Sequence, residues 1–257
     1  MAIIGFDTSG RPERRLERWD DIPAHEIESG SPVQRGRYAL NAPEIGLTAG
    51  EWDCTAFTST LMPYPVHEFM SVLEGAVEIV AEDGSKTRIA AGESFVIPKG
   101  LRCKWHQPGY MRKFFMIFDD GTGPVADGRG IRVHKLDHRQ QLAPSDGPPP
   151  DVLLTPAPSQ AAHEVVNGAG GQWSVGIWQS TPYERKAVPF PRHELMHLLE
   201  GAVIIGEPDG TEHRFTAGDT FLITEGTTCS WKSTVPVKKI YCTLNPRAAA
   251  ARPAAAE

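Results

Sequence analysis

One segment is written twice in this chain: HEFMSVLEGAV from His67 and HELMHLLEGAV from His193, 126 positions apart. The same offset pairs Asn41 with Asn167, Trp52 with Trp178, Gly92 with Gly218, Cys103 with Cys229, Trp105 with Trp231 and Lys113 with Lys239. Residues 52–118 align with 178–244 without a gap, and roughly a third of the positions are identical. Solenoid repeats run about 20–50 residues, so a period this long marks a duplicated domain.

Each copy is a series of short β-prone runs separated by turn signals, the pattern of a sandwich or barrel. AVEIVAEDGSKTRIAAG reads as strand, Asp-Gly hairpin, strand and a glycine turn; VIIGEPDGTEHRFTAG repeats it. The runs SFVIPKG and TFLITEG follow, and residues 112–118 and 238–244 form a last strand in each copy. Residues 12–19 alone carry a trace of helical periodicity, and the mixed charges of residues 11–18 read as a solvated face. The architecture expected is all-β, with domains at residues 1–125 and 126–246. The Gly-rich residues 119–130 mark the boundary, a proline-rich loop covers 145–158, and 247–257 is a disordered tail.

With 32 acidic and 26 basic residues the chain carries a formal charge of −6, and no basic block offers a nucleic-acid surface. No stretch of about 18 apolar residues exists to span a membrane. Residues 1–6 are too short for a signal peptide, so a cytoplasmic location is expected. The four cysteines form no C-x-x-C pair, and reduced thiols are expected there.

The spacings resemble the cupin superfamily, whose motifs are G-x5-H-x-H-x3,4-E-x6-G and G-x5-P-x-G-x2-H-x3-N. Glu68 is followed by six residues and Gly75, and Glu194 by six residues and Gly201. Gly92, Pro98, Gly100 and Cys103 keep the spacing of the second motif, as do Gly218, Thr224, Gly226 and Cys229. More narrowly, Trp52, residues 68–75, residues 92–100, Trp105 and Arg112-Lys113, with their second copies, resemble the ureidoglycine aminohydrolase-type cupins. The resemblance implies two tandem jelly-roll barrels of the RmlC-like class, a bicupin. It also implies pairing through edge strands, with a homodimer as the default and the same contact within one bicupin chain as the alternative.

In a metal-binding cupin the histidines and the Glu converge inside the barrel. Here the His-x-His positions fall around residues 61–64 and 187–190, which hold no histidine, and Cys103 and Cys229 replace the second-motif His. Against the aminohydrolase type, Met62, Tyr64 and Glu68 stand where Glu, His and His would be, and Cys103 replaces a Gln; Val188, Phe190, Glu194 and Cys229 depart likewise. Side chains alternate along a strand, so an inward Glu68 turns His67 outward, and an inward Glu194 turns His193 and His197 outward. The inward set is then Glu68, Met70 and Val72, with Glu194, Met196 and Leu198 in the second copy. A Glu and a Cys supply about two ligands where zinc sites want three or four, so no metal is expected.

What remains is a pocket of Trp52, Tyr64, Glu68, Met70, Cys103 and Trp105, repeated as Trp178, Phe190, Glu194, Met196, Cys229 and Trp231. Lys113 and Lys239 are the natural partners of the two glutamates. Should the chain be catalytic, Glu68, Glu194, Lys113 and Lys239 are the candidates. Cys103 and Cys229 also read as small buried hydrophobes, and the tryptophans as core. Tyr64 and Pro98 against Phe190 and Thr224 favour the first copy as the better site. Three functions fit: a metal-free binder of a small nitrogenous or carboxylate metabolite, a cupin enzyme using a divalent transition metal, or a structural dimerisation module.

Overall fold

The computed structural model describes residues 1–6, 16–123 and 130–246. Two compact units emerge, Thr8–Leu136 and Met1–Asp7 joined with Asp137–Glu257. In the first, a seven-stranded sheet runs in the order His134–Lys135, Ser94–Ile97, His67–Glu74, Met111–Phe118, Leu47–Cys54, Gln34–Ala42, Glu17–Arg18. Its partner sheet runs Lys86–Ala90, Ala76–Ala81, Arg102–Gln107, Phe57–Ser59, Ile27–Gly30, with Met62–Pro63 beside Arg102–Gln107. The inner faces share one apolar core that includes Met70, Val72 and Phe115 from one sheet and Val77, Ile79 and Trp105 from the other. The second unit repeats this with a seven-stranded and a four-stranded sheet. The fold is the all-β double barrel that the repeat implies, and no described helix is long and apolar enough to cross a membrane.

Alternation does what the sequence reading required of it. Arg102–Gln107 buries every second residue, Cys103, Trp105 and Gln107. On His67–Glu74, Met70 and Val72 join the core. A register shift opposite Arg112/Lys113 leaves Leu73 as a bulge, and Leu199 is its copy opposite Lys238/Lys239. Both bulges lie beyond the glutamates, so the parity from His67 to Val72 is unbroken. Gly84 and Gly210 make the two hairpin turns at φ 84° and 91°.

Three expectations need correction. The division falls after Leu136 instead of at 125/126, and the first strand belongs to the second unit. Ile3–Phe6 pairs antiparallel with Thr220–Ile223, while His134–Lys135 covers the corresponding edge, Ser94–Ile97, of the first. Neither short strand lies in the repeated segment, so the offset gave them no signal. Secondly, the Pro98/Thr224 difference concerns this edge and not a pocket. The Thr224 N–H donates to the Ala2 carbonyl and the Ala2 N–H donates to Thr224 Oγ1, two bonds that proline, with neither N–H nor hydroxyl, would lose. Thirdly, Glu17–Arg18 is a strand paired to Arg35 and Gly36, not a helical turn. The rest of residues 11–18, the centre of the 119–130 boundary and the 247–257 tail lie outside the described residues.

His197 faces away from the barrel core, its Nδ1 2.8 Å from Thr220 Oγ1. Burial, with a contribution from His138, pushes its pKa from 6.5 down to about 4. Between those values the unfolded chain binds a proton that the folded chain refuses. Its contribution to stability is therefore present above pH 6.5 and lost as pH falls toward 4. His197→Gln should flatten the acid limb of a urea-denaturation series, and an unchanged limb would count against this assignment.

Candidate functional site

The centre of each barrel is an ion pair between two neighbouring strands of the large sheet. Lys113 Nζ donates to Glu68 Oε1 at 2.7 Å, and Lys239 Nζ to Glu194 Oε1 at 2.7 Å. All four side chains are buried. Each ammonium also lies 3.0 Å from a thioether sulfur, Met70 or Met196. Two tryptophans frame it: Nζ of Lys113 sits 4.8 and 4.9 Å from the ring centroids of Trp52 and Trp105, and that of Lys239 4.7 and 5.3 Å from Trp178 and Trp231. The rings meet edge to face at 6.1 and 6.0 Å, so each cation faces aromatic surface as well as a carboxylate.

The barrels differ in how the second carboxylate oxygen is satisfied. In the first, the Tyr64 hydroxyl donates to Glu68 Oε2. Burial and the Glu68 charge push that phenol well above its ordinary pKa, so it stays a neutral donor. In the second, Phe190 has no hydroxyl, and Arg192 takes its place, with Nε and Nη2 each 3.1 Å from Glu194 Oε2. Burial works to raise the Glu194 carboxyl, but Lys239 and Arg192 outweigh it and hold the group below its usual range.

Sequence reasoning missed the outer ring of partners. Trp52 Nε1 donates to Gln34 and Trp178 Nε1 to Gln160, a pair that obeys the same 126-residue offset and was legible in it. Trp105 Nε1 donates to Gln107, whose amide reaches the Cys54 carbonyl at 2.7 Å. The second copy has Ser233 there, and the buried Trp231 Nε1 has no hydrogen-bond partner. Where the first copy has Ser59 the second has Arg185, buried and donating to the Cys229 carbonyl at 2.9 Å. Tyr183 stacks on Trp231 at 5.9 Å. Arg185 thus fills part of the second interior where the first has only Ser59.

The first barrel holds an open-mouthed cavity of about 720 Å³. Trp52, Tyr64, Glu68, Cys103, Trp105 and Lys113 all line it. Met70 lies beneath, fully buried against Lys113. In the second barrel Phe190, Met196, Cys229 and Trp231 pack as one core with Trp178 against it.

Neither cysteine is placed for nucleophilic work. Burial pushes the Cys103 thiol up to about 11 and raises Cys229. His106, the nearest base in sequence, bonds Thr58 through Nδ1 at 2.9 Å on the other strand face. All four cysteines are buried and free. Ellman's reagent at about pH 8 should modify none of them in the native protein and all of them after unfolding. A fast-reacting native thiol would refute the burial argument. From pH 9.0 to about 11 the unfolded chain loses the Cys103 proton that the folded chain keeps, so this contribution to stability falls as pH rises.

The fold family implies a metal, and the donor set here does not fit one. Glu68 and Glu194 are each paired with a buried lysine and have, among the described residues, no second anionic or imidazole donor beside them, the cysteines are held as thiols, and His67 and His193 sit outside the core, accepting from the Lys99 and Glu225 amides. Among the described residues no three His, Cys, Asp or Glu side chains cluster as ligands.

Residues 44–115 and 167–241, the two copies of the repeat, each match the family model of the EutQ-like cupin domain. Among solved structures, a protein of unknown function from Pseudomonas syringae pv. tomato is similar at 26% identity and TM-score 0.77, over 94% of this chain and 98% of that one. A cupin 2 conserved barrel domain protein from Leptotrichia buccalis has 12% identity and TM-score 0.53, over 85% and 98%. The salicylate 1,2-dioxygenase of Pseudoaminobacter salicylatoxidans has 14% identity and TM-score 0.57, over 90% and 78%. These last two share the fold alone. No curated protein matches the sequence. With more than half its length matched, in both halves, the chain belongs to the family of EutQ-like cupin domains.

Proposed function

We propose that this bicupin binds a small nitrogenous or carboxylate metabolite in its first barrel without a metal, and that the second barrel is scaffold. The cavity of about 720 Å³ carries this reading: its floor is the Glu68–Lys113–Tyr64 cluster between two tryptophans. A concave, largely apolar cavity with a few convergent polar groups is the usual form of a small-molecule site. The ureidoglycine aminohydrolase-type chemistry finds no support in the donor set, and the homodimer remains part of the reading.

Thermal-shift screening of the full chain against amines, ureides, amino acids and small organic acids tests it. A ligand at a hundred times its Kd stabilises by about 2.7 kcal/mol. Glu68→Gln should abolish the shift and Glu194→Gln should keep it. No shift with any compound, or the reverse dependence on the two glutamates, would sink the proposal. Stoichiometric Mn, Fe, Ni or Zn in elemental analysis would replace it with a metalloenzyme, and a monomer in sedimentation equilibrium would remove the dimer.

A further inference from the structure

We propose that the first-barrel cavity selects organic cations, a protonated amine carried on an apolar or aromatic body. This rests on the reading that the cavity binds a small molecule, and names its class.

The Trp52 indole N–H is spent on Gln34, the Trp105 N–H on Gln107 and the Tyr64 O–H on Glu68. The Lys113 ammonium has three N–H groups: one goes to Glu68 and one to the Met70 sulfur, and the third is left between the Trp52 and Trp105 faces, whose centroids lie 4.8 and 4.9 Å from Nζ. What the floor still offers is acceptors: the spare lone pairs of the Tyr64 hydroxyl and the Glu68 carboxylate. A ligand that brings acceptors meets acceptors, whereas an ammonium brings the missing donors.

Charge at the mouth points the same way. Asp20, Asp21 and Glu26 line the cavity along with Glu68. Among its described lining residues Lys113 is the one Lys or Arg, and Glu68 already neutralises it. Asp21 is shared with the exposed Arg18 at 2.9 Å. These mouth carboxylates are solvated, so each contributes modestly, and the floor does most of the discrimination. The wall supplies the body's contact: Trp19 stacks on Tyr38 at 4.9 Å and meets Phe115 edge-on at 6.2 Å, aromatic surface that suits a cation and its apolar carrier. The acidic lining is not a property of the barrel itself. At the positions of Ser59 and Val66 the second copy carries Arg185 and Arg192, the opposite sign.

Isothermal titration of the full chain with three probes of one shape decides the matter: benzylammonium, benzyl alcohol and benzoate. Benzylammonium should bind at least about tenfold tighter than the other two, the worth of one charge-assisted hydrogen bond. Its affinity should fall as salt is raised. Tyr64→Phe, the residue already present in the second copy, should fold normally by circular dichroism and lose most of that preference. Asp20→Asn with Glu26→Gln should weaken binding about three- to tenfold. Benzoate or benzyl alcohol binding as tightly as the amine overturns the cation preference and leaves the small-molecule site standing. If none of the three binds while the broader screen finds a ligand, the preference again falls alone. If neither finds one, both readings fall.

Discussion

Lys113→Met should destabilise the first unit by about 3–5 kcal/mol, the cost of stranding a buried carboxylate without its partner. Glu68 would keep the Tyr64 hydroxyl, but that group is neutral and cannot offset the charge. Lys239→Met, the same change at the same place in the repeat, should cost about 1–3 kcal/mol less, because Arg192 stays on Glu194 at 3.1 Å. Replacing both members of the first pair, Glu68→Leu with Lys113→Met, should recover most of the loss, since buried ion pairs exchanged for apolar groups are often near neutral. Urea denaturation of the four proteins makes the comparison. Equal losses at Lys113 and Lys239, or no recovery in the double variant, would show that the pair does not govern the core as described.

Gly75→Ala should be comparably damaging, for a backbone reason. Gly75 has φ 78°, and a Cβ there would stand 2.1 Å from the Tyr110 carbonyl oxygen. In the second copy Gly201 has φ 84°, with its Cβ 2.1 Å from the Pro236 oxygen. The left-handed conformation alone costs about 1–2 kcal/mol for an alanine. The clash is with main chain of the adjoining strand connection, which cannot swing aside, so a total above about 3 kcal/mol is expected. Gly84→Ala is the control: φ is again 84°, but nothing lies within 4 Å of its Cβ, leaving the conformational cost alone. Thermal melts in which the two substitutions shift Tm equally would refute the steric account.

Where the two copies agree, the sequence was readable. Glu68, Lys113, Trp52 and Trp105 each recur at the offset and were assigned to one pocket on that ground, and the structure brings them together. Parity held because the bulges at Leu73 and Leu199 come after the glutamates. Gln34 and Gln160 carried the same signal and were overlooked, because they precede the segment of strong identity. Where the copies disagree, alignment was silent. Arg185 and Arg192 are charges standing where the first copy has Ser59 and Val66, so only the departure from the repeat marked them. Trp19, Asp20 and Glu26 come from before the repeated segment, and their place at the cavity depends on tertiary packing that local pattern does not encode.

The first strand of the chain ties the order of synthesis to the order of assembly. Ala2 bonds Thr224, 222 residues later. At about 5–20 residues per second a ribosome needs about ten to forty seconds to make that distance. The first barrel has all its strands long before then, whereas Ile3–Phe6 waits for a partner not yet translated. The second barrel is therefore closed by a segment translated 222 residues ahead of its partner. Translation that stops short of Thr220 leaves that opening strand without the edge it was made to cover, and a chain begun after Phe6 leaves that edge, Thr220–Ile223, bare to other strands.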